Sequence, residues 1–423
     1  MNSITIKPSK LKGEIKAPPS KSLSHRAIIC ASLCSSGESL IDNVVLSEDI
    51  KATIEGMRSL GAKINLFENS NGTYSLRIKR ETDKIQTTHI DCRESGSTLR
   101  FMIPLGSILS EECTFTGSGK LVERPLDVYY KIFDEQKIKY KTTGGLLPLS
   151  VHGSLISGSY KVSGNISSQF ISGLLLALPL LSGDSTVKIK GPLESKGYVD
   201  LTLDILSNFK INIVNNGYKE FKIHGNSVYE PANYTVEGDL SQAAFFLVAH
   251  EIGNDLICNG FDSSTKQGDK EILNIIEKYK HIEISSNEEI IIDASQIPDL
   301  VPILAVLASL KNGITTKIIN AERLRIKESD RLRAISTEMN KLGASIRELP
   351  DGLLIKGLNS LAGGAAVNSW NDHRIAMSLA IAATKCEKEI ILENHTAVNK
   401  SYPSFWDDYK ALGGMSDEFD VRQ

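Results

Sequence analysis

The chain has 423 residues, of which 41% are hydrophobic and 23% charged, and its formal net charge is −3. This length is too great for one compact core and predicts two domains of roughly 200 residues each. The near-neutral charge argues against a nucleic-acid-binding protein, which usually carries a strong basic excess. The longest apolar stretch, 171–181, is shorter than the ~20 residues that span a membrane.

The first seven residues have no apolar core behind a basic start, which argues against a signal peptide. The six cysteines are scattered and form no Cys-x-x-Cys pair. The simplest interpretation of these six cysteines is that they are free thiols in a reducing compartment. The sequence therefore predicts a soluble, cytoplasmic protein.

One pattern recurs along the chain: a helix ends, and two short strands follow. The clearest copies are 60–64 with 75–79 and 342–346 with 353–357. The weaker copies are 137–140 with 149–153, 211–213 with 221–225, and 282–284 with 290–293, and a final helix end lies at 412–414. The predicted helix ends, near residues 61, 137, 209, 281, 343 and 413, are spaced about 60 to 76 residues apart, which indicates six related units of α/β or α+β class. Each unit is too small for a core of its own, so we expect three in each domain.

Two proline-marked breaks, Ala17–Ser20 and Tyr229–Asn233, are the positions at which the chain could cross between domains. Crossing at both would join 1–20 to 235–423 as a first domain. Residues 21–234 would then form an inserted second domain.

Four polar segments contain small residues or a proline beside a predicted helix start. They are 19–26, 94–100, 122–126 and 164–170. Helix N-termini attract anions, and Lys21, Arg26, Arg100 and Arg124 would add positive charge. Each segment alone is weak evidence because serine-rich turns are common helix caps.

Two further polar segments lie in the C-terminal half. In 325–331 we predict a helix with Lys327 and Arg331 on one face, which a salt-bridged surface helix would also explain. In 370–377, His373 and Arg374 begin an apolar helix, and an ordinary solvated turn is the alternative. No second histidine or cysteine lies at ligand spacing from His373, so we predict no metal site. The 117–120 run lacks the spacing of a P-loop.

Together these segments resemble the enolpyruvyl transferase family, in its shikimate branch, over essentially the whole chain. The motifs that carry the resemblance, in the family's order, are Lys21-Ser22 with Arg26, Glu123-Arg124-Pro125, Ser167-Ser168-Gln169-Phe170, Ser195-Lys196-Gly197-Tyr198, Pro298-Asp299, Lys327-Glu328-Ser329-Asp330-Arg331 and Asn371-Asp372-His373-Arg374. The resemblance implies two similar domains, each of three βαβαββ units in an inside-out α/β barrel, with the active site in the cleft between them. It also implies transfer of the enolpyruvyl group of phosphoenolpyruvate to the 5-hydroxyl of shikimate 3-phosphate, in aromatic amino acid biosynthesis.

The resemblance further assigns site residues. Those for shikimate 3-phosphate are Lys21, Ser22, Arg26, Ser167, Ser168, Gln169, Ser195, Tyr198, Asp299 and Lys327. Those for phosphoenolpyruvate are Lys21, Gly96, Arg100, Arg124, Gln169, Arg331, Arg374 and Lys400. The catalytic residues are Asp299 as base near the 5-hydroxyl, Glu328 as acid–base group at the methylene carbon, and Lys21. The resemblance implies a monomer without cofactor, metal, nucleic-acid or membrane partner. Eight of these side chains are cations, which suits two anionic substrates.

Glu94 and Phe101 depart from the family, which often has asparagine and proline there, and they put substrate affinity and the response to glyphosate in question. The branch that uses UDP-N-acetylglucosamine is the nearest alternative. It carries a reactive cysteine in the loop before the arginine-proline pair, but 117–122 contains none. Cys113 lies earlier, in a predicted strand. A third hypothesis is that the protein is a non-catalytic anion-binding scaffold. That hypothesis would leave Asp299 and Glu328 without a role.

Overall fold

A computed structural model describes residues 2–82, 84–262, 264–281 and 289–419. The chain divides into two compact units. Unit 1 comprises Met1–Pro18 and Gly238–Gln423, and unit 2 comprises Pro19–Glu237. The predicted domain limits differ from these bounds by two or three residues, and the assignment of separate domains stays a prediction.

Helices and short strands alternate along the described chain. The strands are β1 Ser3–Lys7, β2 Lys12–Lys16, β3 Ser39–Val44, β4 Ala62–Glu68, β5 Tyr74–Arg80, β6 Ile85–Asp91, β7 Ser110–Thr116, β8 Lys139–Thr143, β9 Leu146–His152, β10 Ser159–Ser163, β11 Ser185–Lys190, β12 Ile213–Asn216, β13 Glu220–Ile223, β14 Asn233–Thr235, β15 Asp255–Asn259, β16 Glu289–Asp293, β17 Thr315–Ile319, β18 Ser345–Leu349, β19 Gly352–Lys356, β20 Ala366–Asn368, β21 Ile390–Glu393 and β22 Met415–Phe419. The α-helices are α1 Lys21–Leu33, α2 Glu48–Ser59, α3 Gly96–Leu109, α4 Asp127–Gln136, α5 Ser168–Ala177, α6 Lys196–Asn208, α7 Leu240–Glu251, α8 Glu271–Lys280, α9 Val301–Ser309, α10 Arg331–Lys341, α11 His373–Ala383 and α12 Phe405–Ala411. Short 3-10 turns lie at Gly119–Glu123, Leu178–Leu180, Gly268–Lys270, Pro298–Leu300, Glu322–Ile326 and His395–Lys400.

The sheets of unit 2 share one topology, with strand orders β14-β3-β5-β4, β6-β7-β9-β8 and β10-β11-β13-β12. In each, two parallel strands are followed by an antiparallel hairpin. In the sheets that begin with β6 and β10, one helix follows each of the two parallel strands, which gives the βαβαββ unit. In the sheet that contains β14, the first strand comes from the end of the unit.

Unit 1 repeats the same plan. The order β16-β17-β19-β18 matches the sheets of unit 2, and in β20-β21-β1-β22 the strand β1 takes the place of the final hairpin strand. Strand β2 pairs in parallel with β15. The predicted α/β class with repeated βαβαββ units is confirmed.

Helices lie inside each unit, and sheets lie outside. All nine residues of α9 are buried, because its sequence VPILAVLAS is apolar all round. Strands instead alternate, as β9 does with buried Leu147, Leu149 and Val151 between more exposed neighbours. The apolar face of each sheet therefore packs on central helices, which is the inside-out arrangement. Among the described residues, no helix has both the length and the apolar character needed to cross a membrane.

The predicted helix ends are confirmed within two residues, because α2, α4, α6, α8, α10 and α12 end at residues 59, 136, 208, 280, 341 and 411. The interpretation of the fifth strand pair is wrong in part. Residues 282–284 lie outside the described chain, and 290–293 form part of β16, which pairs in parallel with β17. This strand therefore opens the next unit, because an isolated apolar strand carries no local mark of the unit to which it belongs.

Candidate active site

Three helix N-termini in unit 2 carry the predicted anion ligands. Ser20, Ser95 and Ser167 cap α1, α3 and α5, and each side-chain oxygen accepts a hydrogen bond from a backbone N–H in the first turn. These caps fix the helix starts that the sequence predicted. The N-terminal turns then present Lys21, Gly96 and Ser168.

Lys21 is held by an acid that the sequence analysis did not find. Its Nζ lies 2.7 Å from Asp49 Oδ2. Asp49 lies in the acidic first turn of α2, 28 residues away, and nothing in the local sequence indicates this pairing. The pair orients the ammonium group of Lys21 at the start of α1.

Arg26 is 2% exposed and is fixed by neutral acceptors. Its Nε donates to Thr202 Oγ1 at 2.7 Å, and its Nη2 donates to the Tyr198 carbonyl at 3.0 Å. Its guanidinium lies 5.1 Å from the centre of the Phe101 ring. Phe101, noted above as a departure, thus packs against a predicted ligand. Burial lowers the pKa of Arg26 to about 10, so the group stays protonated at neutral pH.

A second group of predicted ligands surrounds the start of α3. Arg100 Nη1 donates to Gln169 Oε1 at 3.2 Å, and Gln169 Nε2 donates to Ser97 Oγ at 3.0 Å. A Cβ atom at Gly96 would overlap Arg124 Nη1 and lie 2.9 Å from Arg100 Nη1. Gly96, Arg100, Arg124 and Gln169, all predicted to bind phosphoenolpyruvate, are therefore brought together.

Three further predicted ligands of unit 2 lie at two helix starts, and Ser22 lies in the first turn of α1. Ser168 is the first residue of α5, and Ser195 directly precedes α6 in a left-handed conformation with φ 55°. Tyr198 lies in the first turn of α6, and its carbonyl accepts the bond from Arg26. Arg26 thus connects α1 to α6.

In unit 1, one guanidinium joins three carboxylates. Arg331 is 1% exposed, and it lies 2.9 Å from Asp299 Oδ1, 2.6 Å from Glu328 Oε2 and 2.8 Å from Asp372 Oδ2. We call Arg331, Asp299, Glu328 and Asp372 the Arg331 cluster. Burial alone would lower the pKa of Arg331. The charges of the three carboxylates outweigh burial and hold that pKa above its usual value. The two predicted catalytic acids thus share one cation.

Asp299 also contacts Arg374, whose Nη2 lies 3.1 Å from Asp299 Oδ2. Burial would raise the pKa of Asp299, but Arg374, Lys327 and Arg331 outweigh burial and hold the pKa well below its usual value of 3.8. Neither the 3-10 turn at Pro298–Leu300 nor α9 has a side-chain cap. Asp299 therefore does not act as a helix cap.

The predicted helix through 325–331 is wrong. Residues Glu322–Ile326 form a 3-10 turn, Lys327 is extended, and α10 begins only at Arg331. Asp330 interrupts the helix because its side chain accepts from the Arg333 N–H and so acts as the cap of α10. Lys327 and Arg331 are therefore not neighbours on one helical face.

Lys327 is half-buried near the Arg331 cluster. Burial lowers its pKa to about 8, and the charges of Asp299 and Glu328 oppose that effect. A lysine with this pKa changes charge just above physiological pH. The ionisation of Lys327 can therefore be measured at a pH close to physiological.

Helix α11 begins where the sequence predicted, with Asp372 as its cap and His373 and Arg374 in its first turn. Lys400 lies in the 3-10 turn His395–Lys400, and its Nζ donates to the Asn371 carbonyl at 2.6 Å. The turn before α11 therefore contacts two predicted ligands. Asp372 contacts Arg331, and the Asn371 carbonyl contacts Lys400.

Asp269 is a buried acid that the sequence analysis missed. It accepts a hydrogen bond from the Ser241 hydroxyl. Burial, and then the charge of Asp299, raise its pKa to about 6. No motif marked it, because its effect comes from neighbours distant in sequence. Cys113 lies in β7 as predicted, and burial raises the pKa of its thiol to about 12, which leaves it unreactive.

The model of the family described as EPSP synthase (3-phosphoshikimate 1-carboxyvinyltransferase) matches residues 6–409. A Clostridium novyi protein named 3-phosphoshikimate 1-carboxyvinyltransferase is 53% identical over 436 residues, covering 100% of both chains. A Clostridium perfringens protein of the same name is 54% identical, covering 98% of this chain and 99% of its own. A solved EPSP synthase structure from Acinetobacter baumannii superposes with a TM-score of 0.78 at 23% identity over 99% of this chain and 100% of that one, a likeness of fold. The family model and the full-length relatives show that this chain belongs to the EPSP synthase family.

Proposed function

We propose that the protein transfers the enolpyruvyl group of phosphoenolpyruvate to the 5-hydroxyl of shikimate 3-phosphate and releases phosphate. The observation that carries this proposal is the Arg331 cluster, in which Asp299 and Glu328 flank one buried guanidinium. The names of the relatives support the same reaction. We further propose that the protein acts in the cytoplasm as a monomer.

The chemistry moves protons at two positions, the methylene carbon of phosphoenolpyruvate and the 5-hydroxyl of shikimate 3-phosphate, which loses its proton as it adds. The methylene carbon of phosphoenolpyruvate must gain a proton before the 5-hydroxyl adds to the neighbouring carbon and forms a tetrahedral intermediate. Loss of a proton from the resulting methyl group then expels phosphate and restores the double bond. We assign Glu328 to the carbon and Asp299 to the hydroxyl, since carboxylates are suited to both tasks.

The cations supply binding and charge stabilisation. In this proposal Lys21, Arg124 and Lys400, with the backbone of Gly96, hold the phosphate of phosphoenolpyruvate, and Arg331 and Arg374 hold its carboxylate. Both guanidiniums already contact Asp299. A substrate carboxylate that binds them would compete with Asp299, which weakens the charge attraction that keeps Asp299 a poor base. Substrate binding would thus raise the basicity of Asp299 when it is needed.

A phosphate-release assay tests the proposed reaction. Phosphoenolpyruvate is supplied with either shikimate 3-phosphate or UDP-N-acetylglucosamine as acceptor. We expect release only with shikimate 3-phosphate. Release with the nucleotide sugar, or with neither acceptor, would contradict the proposal.

Gly96→Ala should raise the KM for phosphoenolpyruvate about tenfold or more, because a new methyl group overlaps Arg124 and crowds Arg100. Binding of shikimate 3-phosphate should change little. Gly56→Ala in α2 is the matched control, since its Cβ meets only apolar atoms of Ile90 and Met102. Steady-state kinetics on both variants decide the matter, and equal KM values for the two would count against the assigned phosphate site.

Activity should fall above about pH 8. If charged Lys327 contacts shikimate 3-phosphate, its deprotonation removes a cation from the free enzyme, and kcat/KM for that substrate should bend downward near the lowered pKa. Lys327→Arg keeps the charge at high pH. A pH profile of this variant should therefore lose the bend near pH 8, and an unchanged bend would assign it to another group.

A further inference from the structure

Two consecutive residues before α11 have left-handed backbone conformations. Trp370 and Asn371 both have φ 54°. Asparagine tolerates this region, but for tryptophan it is unfavourable, so surrounding contacts must hold the turn. We call 368–372 the Trp370 turn.

The contacts that hold this turn come from Glu338 in α10. Glu338 is 2% exposed, and its Oε1 accepts from Trp370 Nε1 at 2.8 Å. Its Oε2 accepts from the backbone N–H of Asn368 at 3.1 Å and from Lys341 Nζ at 2.7 Å. Asn368 Oδ1 in turn accepts from the Trp370 N–H at 2.6 Å. One buried carboxylate therefore fixes both the ring and the entrance of the turn.

The other side of the turn faces cations assigned to phosphoenolpyruvate. The Asn371 carbonyl accepts from Lys400 Nζ at 2.6 Å, and Asp372 Oδ2 accepts from Arg331 Nε at 2.8 Å. Asp372 Oδ1 accepts from the Arg374 N–H at 2.9 Å and so sets the first turn of α11. Lys400, Arg331 and Arg374 are thus all anchored by two adjacent residues of the Trp370 turn.

We propose that Glu338, acting through Trp370, is a positioning residue for the phosphoenolpyruvate cations. This inference rests on the proposed function and adds to it a residue that touches no substrate. Its buried carboxylate holds an unfavourable backbone turn, and the turn sets the places of three cations. Small displacements of binding groups reduce catalysis steeply, so the role has a kinetic signature.

The test compares Glu338→Gln and Trp370→Phe in the full-length protein. Glutamine replaces one acceptor oxygen with an N–H group, and phenylalanine keeps an aromatic ring but removes the Nε1 donor. We expect kcat/KM for phosphoenolpyruvate to fall about 10- to 100-fold in both variants. The dissociation constant for shikimate 3-phosphate, measured by calorimetry without the second substrate, should stay within about twofold of the native value.

Two controls separate positioning from general stability. Lys341→Met removes the partner of Glu338 that is not part of the turn. Ile335→Val removes a methyl group from the buried face of the same helix. Both should lower the melting temperature and leave kcat/KM for phosphoenolpyruvate near the native value.

The outcomes are distinct. A fall in kcat/KM for phosphoenolpyruvate in Glu338→Gln and Trp370→Phe, with shikimate 3-phosphate binding preserved, supports the inference. Native kinetics per folded molecule in Trp370→Phe, or equal losses for both substrates, would overturn it while the native enzyme remains active. An inactive native protein would overturn the proposed function as well. If Glu338→Gln does not fold, Trp370→Phe alone carries the test.

Discussion

Glu328→Gln should lower turnover about 10²- to 10⁴-fold while shikimate 3-phosphate still binds. Glutamine keeps the shape of the side chain and an oxygen that can accept from Arg331, but it cannot deliver or take a proton at the methylene carbon. Exchange of solvent deuterium into the methylene group of phosphoenolpyruvate should slow for the same reason. Asp299→Asn should cause a turnover loss of similar size through the hydroxyl proton.

These two variants also alter the Arg331 cluster, so turnover must be measured per folded molecule alongside the melting temperature. Asp330→Asn is the matched control. Asp330 is a neighbouring acid that caps α10 and pairs with Arg325 at 3.0 Å, outside the Arg331 cluster. An asparagine there can still cap the helix. Near-native turnover in Glu328→Gln and Asp299→Asn would remove both acids from the chemistry.

Arg331→Met should reduce the free energy of unfolding by about 3–5 kcal/mol, because it removes the shared cation and leaves Asp299, Glu328 and Asp372 without their common partner. Arg325→Met is the control, since Arg325 is more exposed and pairs with Asp330 and Glu348 nearer the surface. That control should lose no more than about 1 kcal/mol. Urea denaturation at neutral pH measures both, and equal losses would contradict the cluster's role in stability.

The stability difference between native protein and Arg331→Met should shrink in acid. The folded pKa of Asp299 is depressed, so its contribution to stability is present above the usual value of 3.8 and is lost as pH falls through the folded pKa. Removing Arg331 lifts part of that depression. Melting temperatures of the two proteins should therefore converge below about pH 4, while a constant gap would indicate a packing effect alone.

The sequence predicted the features that depend on nearby residues. The segments 19–26, 94–100 and 164–170 indicated helix starts, and the structure places the caps Ser20, Ser95 and Ser167 in them, because a cap acts within one turn. One prediction failed at a local signal of the same kind, since the cap formed by Asp330 starts α10 at Arg331 and so leaves Lys327 outside the helix. What the sequence could not supply were pairings between distant elements. Asp299 and Arg331 are 32 residues apart, and Lys21 and Asp49 are 28 apart, so only the topology of the sheets and helices brings them into contact.

The pairing of β1 with β21 and β22 sets an order for folding during synthesis. Unit 2 is continuous in sequence, so all of its residues have left the ribosome once the segment through Glu237 has emerged. Strand β1 is made much earlier than its partners, and domains generally fold as units when their chain is complete. Its shortness and its closing Lys7 limit pairing with other nascent chains in the interval. A ribosome that stalls before Ile390 therefore holds a chain in which unit 2 can be complete. In that chain β1 has neither of its neighbouring strands, because β21 and β22 have not been made.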